Sequence, residues 1–333
     1  MAPLGAGAMG EVYQARHGML RRPTAVKLLR PEVVGEEAVA RFEREVQLTA
    51  QLTHPNTVRI FDYGRTDDGV FYYAMEYLEG ADLATVVGES GPLPSGRAVR
   101  ILRQASDALA EAHASGLIHR DIKPANIFLK GGGYLSDFVK VVDFGLVLEV
   151  DQEADDRLTV EGKIAGTPHY MSPETLLDPE DVEPRCDVYA LGCVAYFLLT
   201  GDHVFRGRTI VEVCGQHLHS EPEPMIERGA EVPESLEALV RRCLAKDPKE
   251  RPTTEALSRE LGSMEAAEWA TWSDTDSAGW WQEHGRFLLK QRAENTETLS
   301  ETQIGRRLRS KSKPPAHGSE SQTVPSIGRS KAR

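Results

Sequence analysis

His119-Arg120-Asp121-Ile122-Lys123-Pro124-Ala125-Asn126 is a string that chance composition rarely assembles, and its residue types suit one chemistry. A hydroxyl that attacks a phosphoryl group must shed its proton, and Asp121 can orient that hydroxyl and accept the proton. Asn126, five positions on, offers a neutral oxygen to a divalent cation. Lys123 can lie beside the transferring group and offset its charge. An isolated Asp at such a place reads as a turn residue; the full string argues against that here.

Working outward, Val141-Val142-Asp143-Phe144-Gly145 ends a β-prone run with a carboxylate, so Asp143 is expected at a strand end facing a cleft. Mg²⁺ prefers oxygen ligands and keeps several waters, so one carboxylate, one amide oxygen and nucleotide phosphates suffice to hold it. Towards the start, Leu4-Gly5-Ala6-Gly7-Ala8-Met9-Gly10-Glu11-Val12 carries glycines that let backbone N–H groups approach phosphate oxygens without Cβ atoms in the way. The dinucleotide-binding version of this pattern needs a helix directly after it; here a β-prone run follows. Lys27, in Ala25-Val26-Lys27 on the next expected strand, can reach phosphates lying under the loop. A lysine leaning inward needs a carboxylate to stay charged. Glu45 on the following helix is the natural candidate, and Glu43, about 200° round that helix, is the competitor. Downstream, the string Gly166 to Glu174 is followed by Asp187 and by Arg251-Pro252, each weak singly and strong in order.

Around these residues the chain divides in two. Glu11 to Ala15 and Thr24 to Leu29 read as a hairpin, Glu37 to Leu52 as an amphipathic helix, and Val58 to Tyr63 and Val70 to Tyr77 as strands. After Gly80 helices take over: one capped at Ser95 and closing at Gly116, one over Val188 to Leu199, and two over Ser235 to Leu244 and Thr254 to Leu261. Beyond about residue 290 the composition turns to Ser, Thr, Pro, Lys and Arg, which predicts disorder.

Of the 333 residues, 40% are hydrophobic and 27% charged, as in a soluble globular protein. The formal charge of -12 is uneven: residues 300–333 hold eight Lys/Arg against two acids, so the body before them carries -18. Such a body repels phosphate backbones, so nucleic acid is not expected as a partner. Four cysteines without CxxC spacing fit a reduced cytoplasm. The apolar run Val188 to Leu199 falls well short of the roughly 20 residues a membrane helix needs, and Met1 to Gly10 has no signal-peptide pattern.

The ordered set resembles the eukaryotic-like, or Hanks-type, serine/threonine protein kinases, and most of all their bacterial members, over residue 4 to about 261. The resemblance implies an α+β, two-lobed fold. A small β-rich lobe would run over 1–78 and a helical lobe over 79–262, followed by a Trp-rich extension (263–290) and a basic tail (291–333). It implies ATP and Mg²⁺, with Gly5, Gly7 and Gly10 over the nucleotide, Lys27 paired with Glu45, Asp121 as base, and Asn126 and Asp143 on the metal. Leu4, Val12, Ala25 and Phe128 would enclose the adenine, with Met75 as gatekeeper and Glu76 to Leu78 as hinge. The expected acceptors are Ser or Thr hydroxyls of protein substrates, the chain itself included. Asp187, and Glu174 with Arg251, would be structural. Arg120 implies control through an activation segment, about 146 to 172, where Thr159 is the expected regulatory phosphosite and Thr167 the one expected to contact Asp121 and Lys123.

Two readings compete with an active kinase: a pseudokinase that signals by shape, and a small-molecule phosphotransferase, which the Gly166 to Glu174 segment disfavours. The strand before the glycine loop is expected to be short or missing, since only Met1 to Leu4 precede it. Thr49, polar where an apolar residue is usual, is expected to loosen the helix of Glu45. Trp269, Trp272, Trp280 and Trp281 fall together and invite either docking of a regulatory partner or packing back on the body. The basic tail could meet a regulatory partner or anionic lipid, or stay solvated. His217-Leu218-His219 lacks a ligand set for a metal.

Overall fold

The computed structural model describes residues 2–6, 10–16, 18, 21–29, 36–66, 70–131, 136–144, 168–179 and 181–288. Alternation of side chains sets its first layer. In β3 (Pro23–Leu29) Ala25, Lys27 and Leu29 are buried while Val26 and Leu28 are half-buried, and in β5 (Phe71–Glu76) Phe71, Tyr73 and Met75 point inward. This period of two gives each strand one core face. With β1 (Ala2–Ala6), β2 (Gly10–Arg16) and β4 (Ile60–Arg65) they form an antiparallel sheet in the order β1-β2-β3-β5-β4. The first strand is thus present as five residues and contains Leu4 and Gly5. Helix α1 (Glu36–Gln51) follows β3. Thr49 is buried in it, and its hydroxyl donates to the Glu45 carbonyl at 2.8 Å, so the polar group is satisfied within the helix.

A second, three-stranded antiparallel sheet, β6 (Gly80–Asp82), β7 (Ile127–Lys130) and β8 (Phe138–Val141), lies at the start of the helical part. Helix α2 (Leu83–Ser90) is capped by Asp82, whose carboxylate accepts from the Thr85 N–H at 3.0 Å. Helix α3 (Ser95–Ala114) buries Ala98, Ile101, Leu102, Ala105 and Leu109. The expected Ser95 cap is corrected: Pro94 occupies the cap position, Ser95 is the first helical residue, and its hydroxyl donates to the Glu231 carbonyl at 3.4 Å. Pro94 fixes the entry by its restricted φ, without a side-chain cap.

Beyond the short α4 (Pro173–Leu177), α5 (Arg185–Thr200) is buried on nearly every face, which is why its sequence is apolar without amphipathic spacing. Gly201, at φ 75°, supplies the left-handed C-cap. Helices α6 (Ile210–His219), α7 (Glu234–Cys243) and α8 (Thr254–Glu265) complete this part. Arg251, 2% exposed, forks onto Glu174 at 2.6 and 2.8 Å, and its remaining donors reach the carbonyls of Ala245, Arg185 and Lys246. After α8 the chain turns back: residues 274–288 form a helix, α9, and Trp281 joins the core of the helical part while Trp269 and Trp280 pack against it. Of the two roles the tryptophans suggested, packing on the body is the one the contacts record.

Behind the turn at 168–170, His217 is fully buried with its Nδ1 2.8 Å from the Tyr189 hydroxyl. Burial pushes its imidazole down to about 3, and burial also lowers His169 and His203, whose rings stack at 3.9 Å. An unfolded imidazole titrates near ~6.5, so as pH falls the unfolded chain takes up these protons first and the folded state loses ground. Urea denaturation of the full chain from about pH 7.5 to 5 should therefore show stability falling on the acid side, with a shallower fall in His217→Asn. An equally steep fall in the variant would contradict this.

Candidate functional site

One buried carboxylate shapes the loop that opened the sequence reading. Asp187, on α5 and 1% exposed, accepts from the backbone N–H of His119 at 2.8 Å, from that of Arg120 at 2.9 Å and from His113 Nε2 at 2.8 Å. Burial pushes its carboxyl up, but the hydrogen bond and charge of His113 and the backbone N–H of His119 together bring it below the usual range. Arg120 is held at φ 64°, the left-handed region that L-residues rarely adopt. The His119 ring donates from Nε2 to the Val142 carbonyl at 2.9 Å, which leaves Nδ1 to accept from the Asp121 N–H at 3.3 Å. Loop and strand end are thereby locked to each other.

Asp121 Oδ2 receives Lys123 Nζ at 2.7 Å and Asn126 Nδ2 at 3.0 Å, and Asn126 Nδ2 also meets the Asp121 carbonyl at 2.8 Å. These contacts spend the amide nitrogen of Asn126 and leave its oxygen outside the described hydrogen bonds. The Val142 N–H donates to the Asn126 carbonyl at 3.0 Å, extending the β7–β8 pairing and placing the segments of Asn126 and Asp143 side by side.

Asp143, also left-handed at φ 61°, directs Oδ1 at two donors: Lys27 Nζ at 2.8 Å and the Tyr73 hydroxyl at 2.9 Å. Burial alone would raise this carboxyl; the Lys27 ammonium, then the hydrogen bonds from Lys27 and Tyr73, outweigh it and hold the group ionised. The Tyr73 phenol is pushed well up, first by burial and then by the Asp143 charge, so it remains a donor. The expected partner of Lys27 was Glu45. Among the described ion pairs its carboxylate is Asp143, while Glu45 lies half-buried on α1 with contacts of its own. Glu43 turns to Arg65 on β4 at 2.7 Å and is removed as a competitor.

The apolar candidates converge. Ala25, Met75 and Leu78 belong to one buried cluster with Val142, and Leu4, Val12 and Phe128 pack against it. Gly10 passes so close to β3 that a Cβ there would lie 2.1 Å from the Leu28 carbonyl oxygen. Gly5 sits on β1 with open space around it. At the hinge, the Glu76 N–H donates to the Arg59 carbonyl at 2.9 Å and its carboxylate pairs with Lys140, so this backbone donor is already engaged. Gly7, Gly145, Thr159, Gly166, Thr167 and the tail 291–333 lie outside the described residues.

Asp143 and Asn126 present hard oxygen donors of the kind Mg²⁺ selects. Among the described residues no group of three or more His, Cys, Asp or Glu is placed to hold a metal alone, so a cation here would draw further oxygens from nucleotide and water. The pair fits such a shared site. Tyr73 was missed by sequence reading. Its signal was the alternation of β5, which puts it on the inward face two positions before Met75.

The family model described as protein kinase domain matches residues 1–261. Among curated relatives, the serine/threonine-protein kinase pkn3 of Myxococcus xanthus is 39% identical over 79% of this chain and 49% of its own length. The serine/threonine-protein kinase PknB of Mycobacterium leprae is 38% identical over 77% of this chain and 41% of its own. The chain therefore spans about half or less of the relatives it matches. Among solved structures, the kinase domain of Mycobacterium tuberculosis PknI superposes with a TM-score of 0.61 at 28% identity, covering 80% of this chain and 94% of that one. The two-lobed α+β architecture and the likeness to bacterial members agree with these matches.

Removing the Tyr73 hydroxyl takes one donor from a buried carboxylate. Tyr73→Phe is expected to cost about 1.5–3 kcal/mol in chemical denaturation, while Tyr72→Phe, half-buried on the opposite face of the strand, should stay within about 0.5 kcal/mol. Equal losses would show that the Asp143 contact contributes nothing of its own.

Proposed function

We propose, from the premise that this chain belongs to the protein kinase domain family, that it transfers the γ-phosphate of ATP to serine or threonine hydroxyls of proteins. The observation that carries the reading is the convergence on one cleft of Lys27 with Asp143 and of Asp121 with Lys123 and Asn126. The relatives' names support it, and so does the order of the motifs.

In this reading the Leu4, Val12, Ala25, Met75, Leu78 and Phe128 cluster receives the adenine, the glycine-rich segment with Gly5, Gly7 and Gly10 covers the phosphates, and Lys27 aligns the α- and β-phosphates. Asp143 and the Asn126 amide oxygen would hold Mg²⁺, which when bound neutralises charge on the triphosphate. Asp121 is the base. Lys123 and Asn126 occupy Oδ2, so we assign Oδ1 to the incoming hydroxyl, which it steers and whose proton it accepts. The acceptor oxygen bonds to the γ-phosphorus as the bond to the bridging β–γ oxygen breaks, and ADP leaves. Lys123, next to both groups, offsets the charge on the moving phosphoryl. Arg120, held in place by Asp187, is available to a phosphate on the activation segment.

No helix among the described residues is long and apolar enough to cross a membrane, and Cys186, Cys193, Cys214 and Cys243 are all unpaired. Free thiols support a reducing, cytoplasmic setting, and the kinase reading implies a role in signalling. The full chain incubated with Mg-ATP and a generic basic protein should yield phosphoserine or phosphothreonine by mass spectrometry. Asp121→Ala and Lys27→Met should each lower the rate by more than about 100-fold. Nucleotide binding without any phosphotransfer by the unaltered chain would replace the kinase reading with that of a binding module.

A further inference from the structure

The most heavily engaged carboxylate outside the cleft is Asp137, in the turn between β7 and β8. It is 1% exposed and sits at φ 58°. Arg97 on α3, itself fully buried, forks onto it at 2.9 and 2.8 Å. Its other two donors come from the extension: Trp272 Nε1 to Oδ2 and Trp281 Nε1 to Oδ1, each at 2.9 Å. The Arg97 guanidinium also lies 3.9 Å over the Trp280 ring and 4.9 Å from that of Trp272. The burial is close enough to demand glycine in two places. A Cβ on Gly131 would fall 2.3 Å from the Trp281 ring, and one on Gly96 would fall 2.7 Å from the Ala270 backbone. Four donors on one carboxylate hold it below its usual range despite burial.

What makes this more than a well-packed end is where the hydrogen bonds lead. The Asp137 carbonyl accepts from Gln104 Nε2 at 3.1 Å. Gln104 Oε1 accepts from the Val139 N–H and from Asn56 Nδ2, each at 3.1 Å, and Asn56 Nδ2 also donates to the Val139 carbonyl at 2.8 Å. The Asn56 carbonyl then takes the Val141 N–H at 2.7 Å, and the Val141 carbonyl takes the Val58 N–H at 3.0 Å. Val141 stands two residues before Asp143. Asn56 stands in the turn that leaves α1, where Glu111 also grips the N–H groups of Thr53 and His54 at 3.0 and 2.8 Å.

We propose that Trp272 and Trp281 are positioning residues for Asp143. By fixing Asp137 they fix the β7–β8 turn, and through Gln104 and Asn56 they set the strand end that aims the Asp143 carboxylate and the turn that carries α1. The extension is then a working part of the cleft, although none of its described contacts reaches the cleft residues. The catalytic half of this inference rests on the kinase reading above; the structural coupling does not.

Two readouts separate these. Trp272→Phe with Trp281→Phe keeps an aromatic ring at each position, at reduced volume, and deletes both indole donors. Hydrogen exchange followed by mass spectrometry on the full chain should then show amides of 139–143 and 56–58 exchanging roughly 2- to 30-fold faster. In phosphotransfer assays the half-saturating Mg²⁺ concentration should rise by a comparable factor with KM for the protein substrate unchanged. Gln104→Ala should produce the same pattern, and combining it with the Trp changes should add little, because both cut one relay. Val204→Ala, a buried change outside the relay, serves as the control for general loss of stability. Faster exchange confined to 263–288 and 136–137, or the same pattern in Val204→Ala, would overturn the positioning role. The expected exchange pattern in a chain whose unaltered form transfers no phosphate would uphold the coupling and overturn the kinase reading alone.

Discussion

Asp187 is the interaction on which the cleft depends. A carboxylate with two consecutive backbone N–H donors and a histidine on it stabilises a loop conformation that the chain would not hold by itself, with Arg120 at positive φ. Once that loop is set, His119 reaches Val142, Asp121 meets Lys123 and Asn126, and the Asn126 carbonyl receives the Val142 N–H. Each link in this sequence is a hydrogen bond, and each bond fixes the next residue's direction. Truncating Asp187 would leave three donors without their acceptor, the buried His119 N–H among them, which is why a residue remote from the chemistry governs its geometry.

The same device recurs at other points. Asp143, Glu174 and Asp137 are carboxylates kept ionised against burial by arginine, lysine, tyrosine or indole donors. Buried ion pairs contribute less net stability than their Coulomb attraction suggests, since desolvation offsets much of it, but losing one partner costs about 3–5 kcal/mol. They therefore specify arrangement more than they add stability. Here they join distant stretches: α4 to the turn before α8, β3 to the end of β8, and the β7–β8 turn to the extension.

Much of this was legible in the sequence because chemistry restricts residue types. Asp121, Lys123, Asn126 and Asp143 could be read from their strings, Lys27 from its strand after the glycine loop, and Ala25 and Met75 from the family resemblance those strings carry. The short helices α2 and α6 were not read, since they bury only three and two residues, whereas α7, no longer than α6, buries Leu236, Leu239, Val240 and Cys243 at helical spacing. The cap at Ser95 was misjudged by one position because Pro94 closes the helix start without a side-chain bond. Harder still were pairings between distant residues. Nothing local marks Arg97 as a buried cation or Tyr73 as a donor to Asp143, because each needs its partner's position in the fold. Lys27 illustrates the same point: its ion pair with Asp143, 116 residues away, has no local mark in the sequence.

A single cleft that joins nucleotide and cation can be tested without turnover. Calorimetric titration of ATP into the purified full chain should give one site per chain, with affinity that strengthens as Mg²⁺ is added and loses that dependence in Asp143→Asn. Absence of ATP binding, or binding indifferent to Mg²⁺ in the unaltered chain, would contradict the assignment of Lys27, Asn126 and Asp143 to one nucleotide site.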